Sequence, residues 1–384
     1  RYQVAVGFDA LRSNTAGDLS VAIGRQSLYN LDQTTNTHVV AVGSATGYSI
    51  TSGKYNSILG SSAGYFNQTG DYNTVMGYAA AYGITGKSTD NITAIGARAL
   101  QNIVGDDSTA VGYQAGYYAT GSYNTFVGSD AGKGGQTSAP YSSGQNNTAV
   151  GRQALDAFTT GGNNNAFGVA ALGQVTTGQY NIGIGNSAGG AITTAQECIA
   201  IGDGSLVSSQ TGNGIIAIGF QAMYSANHAD NAGNVAIGYT ALRTNIKGAQ
   251  NVAIGDEAGR YATGSKNTFV GHRAGRGSDS TPYASGDENT AFGNDAMRGL
   301  TTGYQNVAIG HRAGENITTG YRNVYIGGYR TGYYNQTGDN NIGIGAGAIN
   351  HDSNNYVNEL IGIGGGAGAL TAGNVGDTDG NVYV

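Results

Sequence analysis

Tryptophan is absent from this chain of 384 residues, proline occurs twice, cysteine once, and only 11% of positions are charged. Each shortage removes a class of protein. A single cysteine, Cys198, cannot build an intrachain disulfide framework or a cysteine-based zinc cluster. Two prolines, with no glycine at every third position, exclude collagen. A hydrophobic share of 39% at such low charge argues against a disordered linker. A formal charge of −6, with no basic tract, leaves nothing to neutralise a phosphate backbone, so nucleic acid is not an expected partner. No apolar run approaches the roughly 20 residues that a spanning helix requires, so membrane insertion is not expected either. The start carries no secretory signal. A beginning at Arg1 and an end mid-pattern at Asn381-Val382-Tyr383-Val384 are expected of a processed chain or a segment of a longer one.

Glycine is abundant instead, at 68 residues. Each glycine in a helix interior costs about 1 kcal/mol relative to alanine, so the composition points to β structure with frequent turns. Internal repetition runs end to end. A short apolar strand closes on glycine at 7, 24, 43, 60, 77, 96, 112, 128, 151, 168 and 185, then at 202, 219, 238, 255, 271, 293, 310, 327, 345 and 364. These 21 units lie mostly 16 to 19 residues apart. Two longer gaps, near 133–146 and 276–288, carry Pro140 and Pro282 and read as loop insertions. No domain boundary is visible, and residues 1–384 read as one continuous array. A block copy also shows: Tyr113 to Gly134 reads YQAGYYATGSYNTFVGSDAGKG, and 143 residues later Asp256 to Gly277 reads DEAGRYATGSKNTFVGHRAGRG.

Relative to the unit glycine, the preceding residue is apolar and the one three places before it is mostly β-branched. Alanine usually stands between them, as in Ala22, Ala94, Ala149, Ala200 and Ala253. Asparagine recurs four places before the glycine in 13 units and alanine three places after it in 17. The next position alternates between Leu-like residues and glycine. Three successive small or apolar residues read as a strand buried on both faces, with the β-branched positions on one face and alanine on the other. Which face looks inward the pattern leaves open. A coil of about 17 residues has a perimeter of roughly 56 Å and encloses little more than one layer of small side chains. One strand face lines that lumen; the other must find an apolar partner, and self-association supplies it. At about 4.8 Å per coil the array would extend roughly 100 Å as a rod. The expected fold is therefore all-β, a parallel β-solenoid (β-roll) of about 21 short coils. Its structural stripe holds Ile23, Ile95, Val150, Ile201, Ile254 and Ile309, and three copies about an axis would bury it. Stacked asparagines are expected to form amide ladders that satisfy turn backbone groups.

The units Asn147-Thr148-Ala149-Val150-Gly151 and Asn251-Val252-Ala253-Ile254-Gly255 resemble the Ser-Val-Ala-Ile-Gly repeats in the heads of trimeric autotransporter adhesins. They look still more like the Gly/Asn/Thr-rich arrays of bacteriophage tail fibres. The resemblance covers essentially the whole chain through a short motif repeated many times. It implies a left-handed trimeric β-roll that presents a host-binding surface or acts as a spacer. The period, nearer 17 than 14 residues, departs from the adhesin heads. No heptad stalk, membrane anchor or chaperone is visible, which leaves phage and bacterial origin open.

Tyrosine, with 26 copies, is the most suggestive side chain. It stands five places after the unit glycine in four consecutive coils, as Tyr29, Tyr48, Tyr65 and Tyr82. These would form an aromatic ladder, either a glycan-binding strip or a cover for the lumen corner or the seam between chains. Tyr117, Tyr118 and Tyr261 continue the same side less regularly. His272 and His311 follow unit glycines two coils apart, too far for one metal within a chain, and read as solvated imidazoles. His38, His228 and His351 occupy unrelated positions. Asp203 and Asp256 also follow unit glycines, and Asp377 and Asp379 sit in a Gly-Asp-Thr-Asp-Gly turn; none forms a recurring pair for glycoside hydrolysis or a calcium loop. No phosphate loop or zinc helix motif occurs. Asn-x-Thr sequons at Asn67, Asn91, Asn146, Asn316 and Asn335 follow from composition. Thr74, Thr93, Thr109, Thr125 and Thr148 raise ice binding, against which stand one threonine per coil and a strand expected to be buried.

No enzyme activity, cofactor or metal is therefore expected. The expected role is a structural and adhesive fibre: a phage tail fibre shaft or receptor-binding segment, in the virion, attaching to a host surface glycan or outer-membrane receptor. The alternatives are a bacterial trimeric surface adhesin or extracellular filament and, further off, a polysaccharide depolymerase.

Overall fold

The computed structural model describes residues 2–15, 19–32, 37–135, 141–226, 232–279, 283–350, 357–369 and 382–384. Pro140, Pro282, His228, His351, Asp377 and Asp379 lie outside them. Among the described residues there is no helix, and the chain is an all-β parallel solenoid of about 20 turns. It divides into two compact units, residues 1–195 and 196–384. The first holds β1 (Val4–Val6) through β11 (Ile182–Ile184), the second β12 (Ile199–Ile201) through β22 (Val382–Tyr383). Every strand up to Ile361–Ile363 has three residues and ends just before a unit glycine. Within each unit successive strands pair in parallel and in register, so that Ala149 lies beside Ala166 and Val235 beside Val252.

Side-chain size decides which face points inward. The middle residue of the strand is buried in every coil from β2 (Val21–Ile23) to β21 (Ile361–Ile363), and Ala22, Ala94, Ala149, Ala200 and Ala253 are wholly inaccessible. Where alanine stands in the middle, the narrow lumen takes its methyl group and the larger β-branched side chains on either side point outward. Ile23, Ile254 and Ile309 are each 38% exposed, while Ile95, Val150 and Ile201 are half-buried. The sequence pattern suggested burial on both faces; within the chain only the alanine face is buried. The rest of the lumen is filled by the residues three, four and seven places after the unit glycine, such as Ala154, Leu155 and Phe158.

The unit glycine is demanded by the next coil. Gly151 has φ +129°, and a Cβ there would stand 2.5 Å from the carbonyl oxygen of Gly168. Coils also exchange backbone bonds outside the strands, as in Leu155 N–H to Ala171 O at 3.0 Å and Thr176 N–H to Thr193 O at 2.9 Å. Both insertions return to the ladder through single parallel bridges, Ala119 with Ser142 and Ala262 with Ala284.

The buried asparagines form ladders. Asn147 Oδ1 accepts from the Asn164 backbone N–H at 3.0 Å, and Asn164 Oδ1 accepts from that of Asn181 at the same distance. Each Nδ2 donates to a turn carbonyl, Asn164 to Gly178 and Asn181 to Ala195. In the second unit the chain of contacts runs through Asn267, Asn289, Asn306, Asn323 and Asn341. An amide suits the position because it both accepts an N–H and donates to a turn carbonyl of the following coil, so each end of the buried side chain is satisfied.

Candidate functional site

Two surface features stand out in the first unit: an aromatic edge and the outward aliphatic stripe. Tyr29, Tyr48, Tyr65 and Tyr82 do stack. Successive ring centroids are 4.9, 5.0 and 5.0 Å apart, with interplanar angles of 13°, 5° and 16°. Arg12 opens the ladder, its guanidinium 5.3 Å from the Tyr29 centroid and its Nη1 donating to the Tyr29 hydroxyl at 2.6 Å. Phe66 closes edge-on against Tyr65 and Tyr82. All four tyrosines are half-buried, outside the lumen.

This geometry restricts what the ladder offers. A sugar stacks on a ring face, and here the faces between successive rings cover one another. Ring edges and hydroxyls are what remain along the ladder's length. Tyr82 is the last ring of the stack, and at that end lies a recess of about 360 Å3 lined by Ser62, Tyr78, Ala79, Tyr82, Arg98 and Gln101. Tyr78 is 57% exposed. An aromatic wall with hydroxyl, amide and guanidinium groups around it suits a small polar ring. The sequence pattern did not pick out Tyr78, Arg98 or Gln101, which occupy three different positions in the repeat and meet only when coils stack.

A second aromatic row also escaped the periodicity. His38, Tyr55 and Tyr72 stack at 5.2 and 5.0 Å, five places before their unit glycines. The signal existed, since Tyr123 and Tyr180 occupy the same place in later coils. In the second unit Tyr304 and Tyr321 stack at 5.0 Å. Tyr117 and Tyr118 meet edge to face, and Tyr118 stacks on Tyr141.

The five threonines pair in register from Thr74 to Thr148. They lie on the outward face, half-buried or exposed, whereas a buried strand was expected. One ground against ice binding therefore falls, because the small lumen takes the middle residue and turns its two neighbours out. The other, one threonine per coil, stands.

His272 Nδ1 is 3.0 Å from Asn294 Nδ2, and its Nε2 is 3.9 Å from Asp256, while His311 is exposed. Among the described residues no three metal-ligating side chains gather. Asn67 and Asn335, two of the sequon asparagines, are buried: each Oδ1 accepts from a turn N–H, that of Gly70 or Gly338, at 3.0 Å. The single thiol, Cys198, takes an asparagine-ladder position, where its Sγ donates to the Gly212 carbonyl at 3.2 Å. Burial pushes that thiol above its ordinary pKa. It is a structural group, since reactive cysteines are exposed and shifted the other way. Compared with models of known protein families and with curated proteins, the chain matches none.

Proposed function

We propose that this chain is a segment of a structural and adhesive fibre, assembled from three copies packed along their outward stripes. The observation that carries the reading is that stripe: an outward apolar residue before every unit glycine in both units, joined by a second aliphatic in coils such as Val21–Ile23, Ile199–Ile201 and Val252–Ile254 and by threonine, serine or asparagine in others. Completing the burial of such a pair is worth roughly 1–2 kcal/mol per coil, which accumulates over many coils. A face one strand wide is enclosed from all sides by three copies about an axis, and less completely by two. The repeat's likeness to phage tail fibres supports a shaft or receptor-binding segment that brings a virion to a host surface. The Tyr82 recess is then the place for a surface glycan, and three identical chains would raise avidity without new contacts.

Sedimentation and light scattering test this directly. The expected mass is three times the 38.8 kDa of the chain. Ile254→Asp should break the assembly while sparing the coil, because Ile254 faces outward and a charge there would be buried only between chains. A wild-type protein that stays monomeric at micromolar concentration, or an Ile254→Asp protein that keeps its trimeric mass, sinks the proposal.

A further inference from the structure

The position that carries tyrosine in the first unit carries arginine in the second: Arg243, Arg260, Arg276 and Arg298 stand five places after four consecutive unit glycines. Three guanidiniums converge on one carboxylate. Glu257 bonds Arg260, and its Oε2 accepts from Arg273 Nε and Arg276 Nε, both at 3.0 Å. The Glu257 side chain is only 13% exposed, whereas that of Arg273 is 42% exposed. The acid therefore lies beneath and the cations above it. Burial alone would raise the Glu257 carboxyl, but Arg260 and Arg276 outweigh it and hold it below the usual carboxylate range.

Three positive charges on one negative leave two uncompensated, in groups whose orientation is already fixed. Tyr261 sits between two of them, with Arg260 at 5.1 Å and Arg276 at 4.9 Å from its ring centroid. Each guanidinium has five N–H donors, and Glu257 uses a minority of them. The remainder form a preorganised cradle for oxyanions, so little ordering entropy is left to lose on binding.

A second, independent feature adjoins the cradle. Tyr261 stacks on Tyr283, at 6.1 Å and 6°. Tyr283 in turn lines an apolar recess of about 370 Å3 with Ile246, Lys247, Thr263 and Ser285. A flat, largely apolar hollow with an ammonium at its rim, joined by an aromatic stack to a guanidinium row, matches a ligand in which ring and charge alternate.

We infer that this edge of the second unit, built on Arg260, Arg273 and Arg276, binds a linear acidic polysaccharide through its carboxylates or sulfates. The guanidiniums recur at the coil step of about 4.8 Å, a spacing that a chain with a charge on each sugar can follow. Nucleic acid is disfavoured by the net charge of −6 over the whole chain. The site is separate from the Tyr82 recess and does not depend on the fibre reading.

The test uses the full chain and defined polymers: polygalacturonate, its fully methyl-esterified form, a sulfated glucan, and duplex DNA. Calorimetry should show binding to polygalacturonate, to the sulfated glucan, or to both, and none to the neutral ester. Binding to one alone identifies the anion. Arg273→Gln and Arg276→Gln should each weaken it about tenfold, the factor one charge-assisted hydrogen bond is worth. Arg152→Gln, on the exposed surface of the first unit, should leave binding unchanged. Tyr78→Ala, at the other recess, should do the same, which separates this site from the proposed glycan recess. If Arg276→Gln alters the circular dichroism, the more exposed Arg273 decides. Absence of binding to either acidic polymer, equal binding to DNA, or equal loss with Arg152→Gln overturns the inference.

Discussion

Phe126 replaces the usual alanine at the middle of β8 (Thr125–Val127) and is wholly buried. Its ring fits because glycine stands on both sides of it. A Cβ on Gly132 would lie 2.1 Å from its Cδ1, and one on Gly116 2.8 Å from its Cδ2. In the next coil the arrangement is reversed, with Ala149 in the strand and Leu155 at the position equivalent to Gly132. Leu155 has φ 51° and Gly132 φ 54°, so leucine tolerates that backbone. Three variants follow. Phe126→Ala empties the slot and should cost about 3–5 kcal/mol. Gly132→Leu drives a side chain into the ring and should cost about 1–3 kcal/mol or more. Together they reproduce the Ala149–Leu155 arrangement, so the double variant should be more stable than the sum of the singles by about 2 kcal/mol or more. Global unfolding suits a solenoid poorly, because coils open in segments. Hydrogen exchange at local amides is the better assay, at Gly116 N–H to Ala131 O, Gly128 N–H to Val111 O and Gly151 N–H to Val127 O. Strict additivity in their protection would mean that the two side chains do not share one space.

Other perturbations test other parts of the coil. Gly168→Ala sets a Cβ 2.5 Å from the Gly185 carbonyl at φ +135°, and exchange in that coil should rise by at least tenfold, equivalent to about 1.4 kcal/mol. Asn306→Ala removes an amide that accepts from the Asn323 N–H and donates to Gly320, and should expose the Asn323 amide to exchange at a cost of about 1–3 kcal/mol while leaving Asn289, held by Asn267, protected. Glu257 and Glu315 should respond oppositely to pH. Glu257 titrates below its unfolded value, so its contribution is present above the unfolded pKa and is lost as pH falls through the folded one. Glu257→Gln should therefore lower amide protection in its own coil at pH 7, relative to wild type at the same pH, and lose that effect in acid. Burial raises the Glu315 carboxyl despite Arg298 and Arg312, so acidification through its folded pKa favours the folded state and Glu315→Gln should cost nothing at pH 7. Identical pH profiles for the two variants would contradict the assignment.

Most of the fold was legible because it repeats. One residue's requirement, such as the unit glycine's, is stated 21 times, and chance agreement is then negligible. The strand positions, the asparagine ladders and the tyrosine stack all followed from identical residues at identical places. What the pattern concealed depends on unlike residues in neighbouring coils. Tyr78, Tyr82, Arg98 and Gln101 share a recess although they take three different places in the repeat. Glu257 gathers Arg273 and Arg276 from the following coil. The period averages over just those differences.

The direction of the strand faces shows where the physics was available and went unused. Apolar residues at all three positions gave no sign of which face looked inward. The alternation between leucine and glycine four places after the unit glycine did contain the answer. Glycine there faces the bulkiest middle residues: Gly64 beside Ile58, Gly116 and Gly132 around Phe126, Gly259 and Gly275 around Phe269, and Gly314 and Gly332 around Tyr325, which follows a slightly longer turn. Two positions that exchange volume must share one closed space, since only a filled cavity penalises both excess and deficit. The middle residue is therefore the lumen residue, and its two neighbours face outward. The same logic reads the stripe: Val, Ile, Leu, Met, Phe, Thr, Ser and Asn interchange there without any compensating partner in the chain. Such tolerance is what a half-open surface permits, and it places any demand for a close fit on whatever packs against that surface.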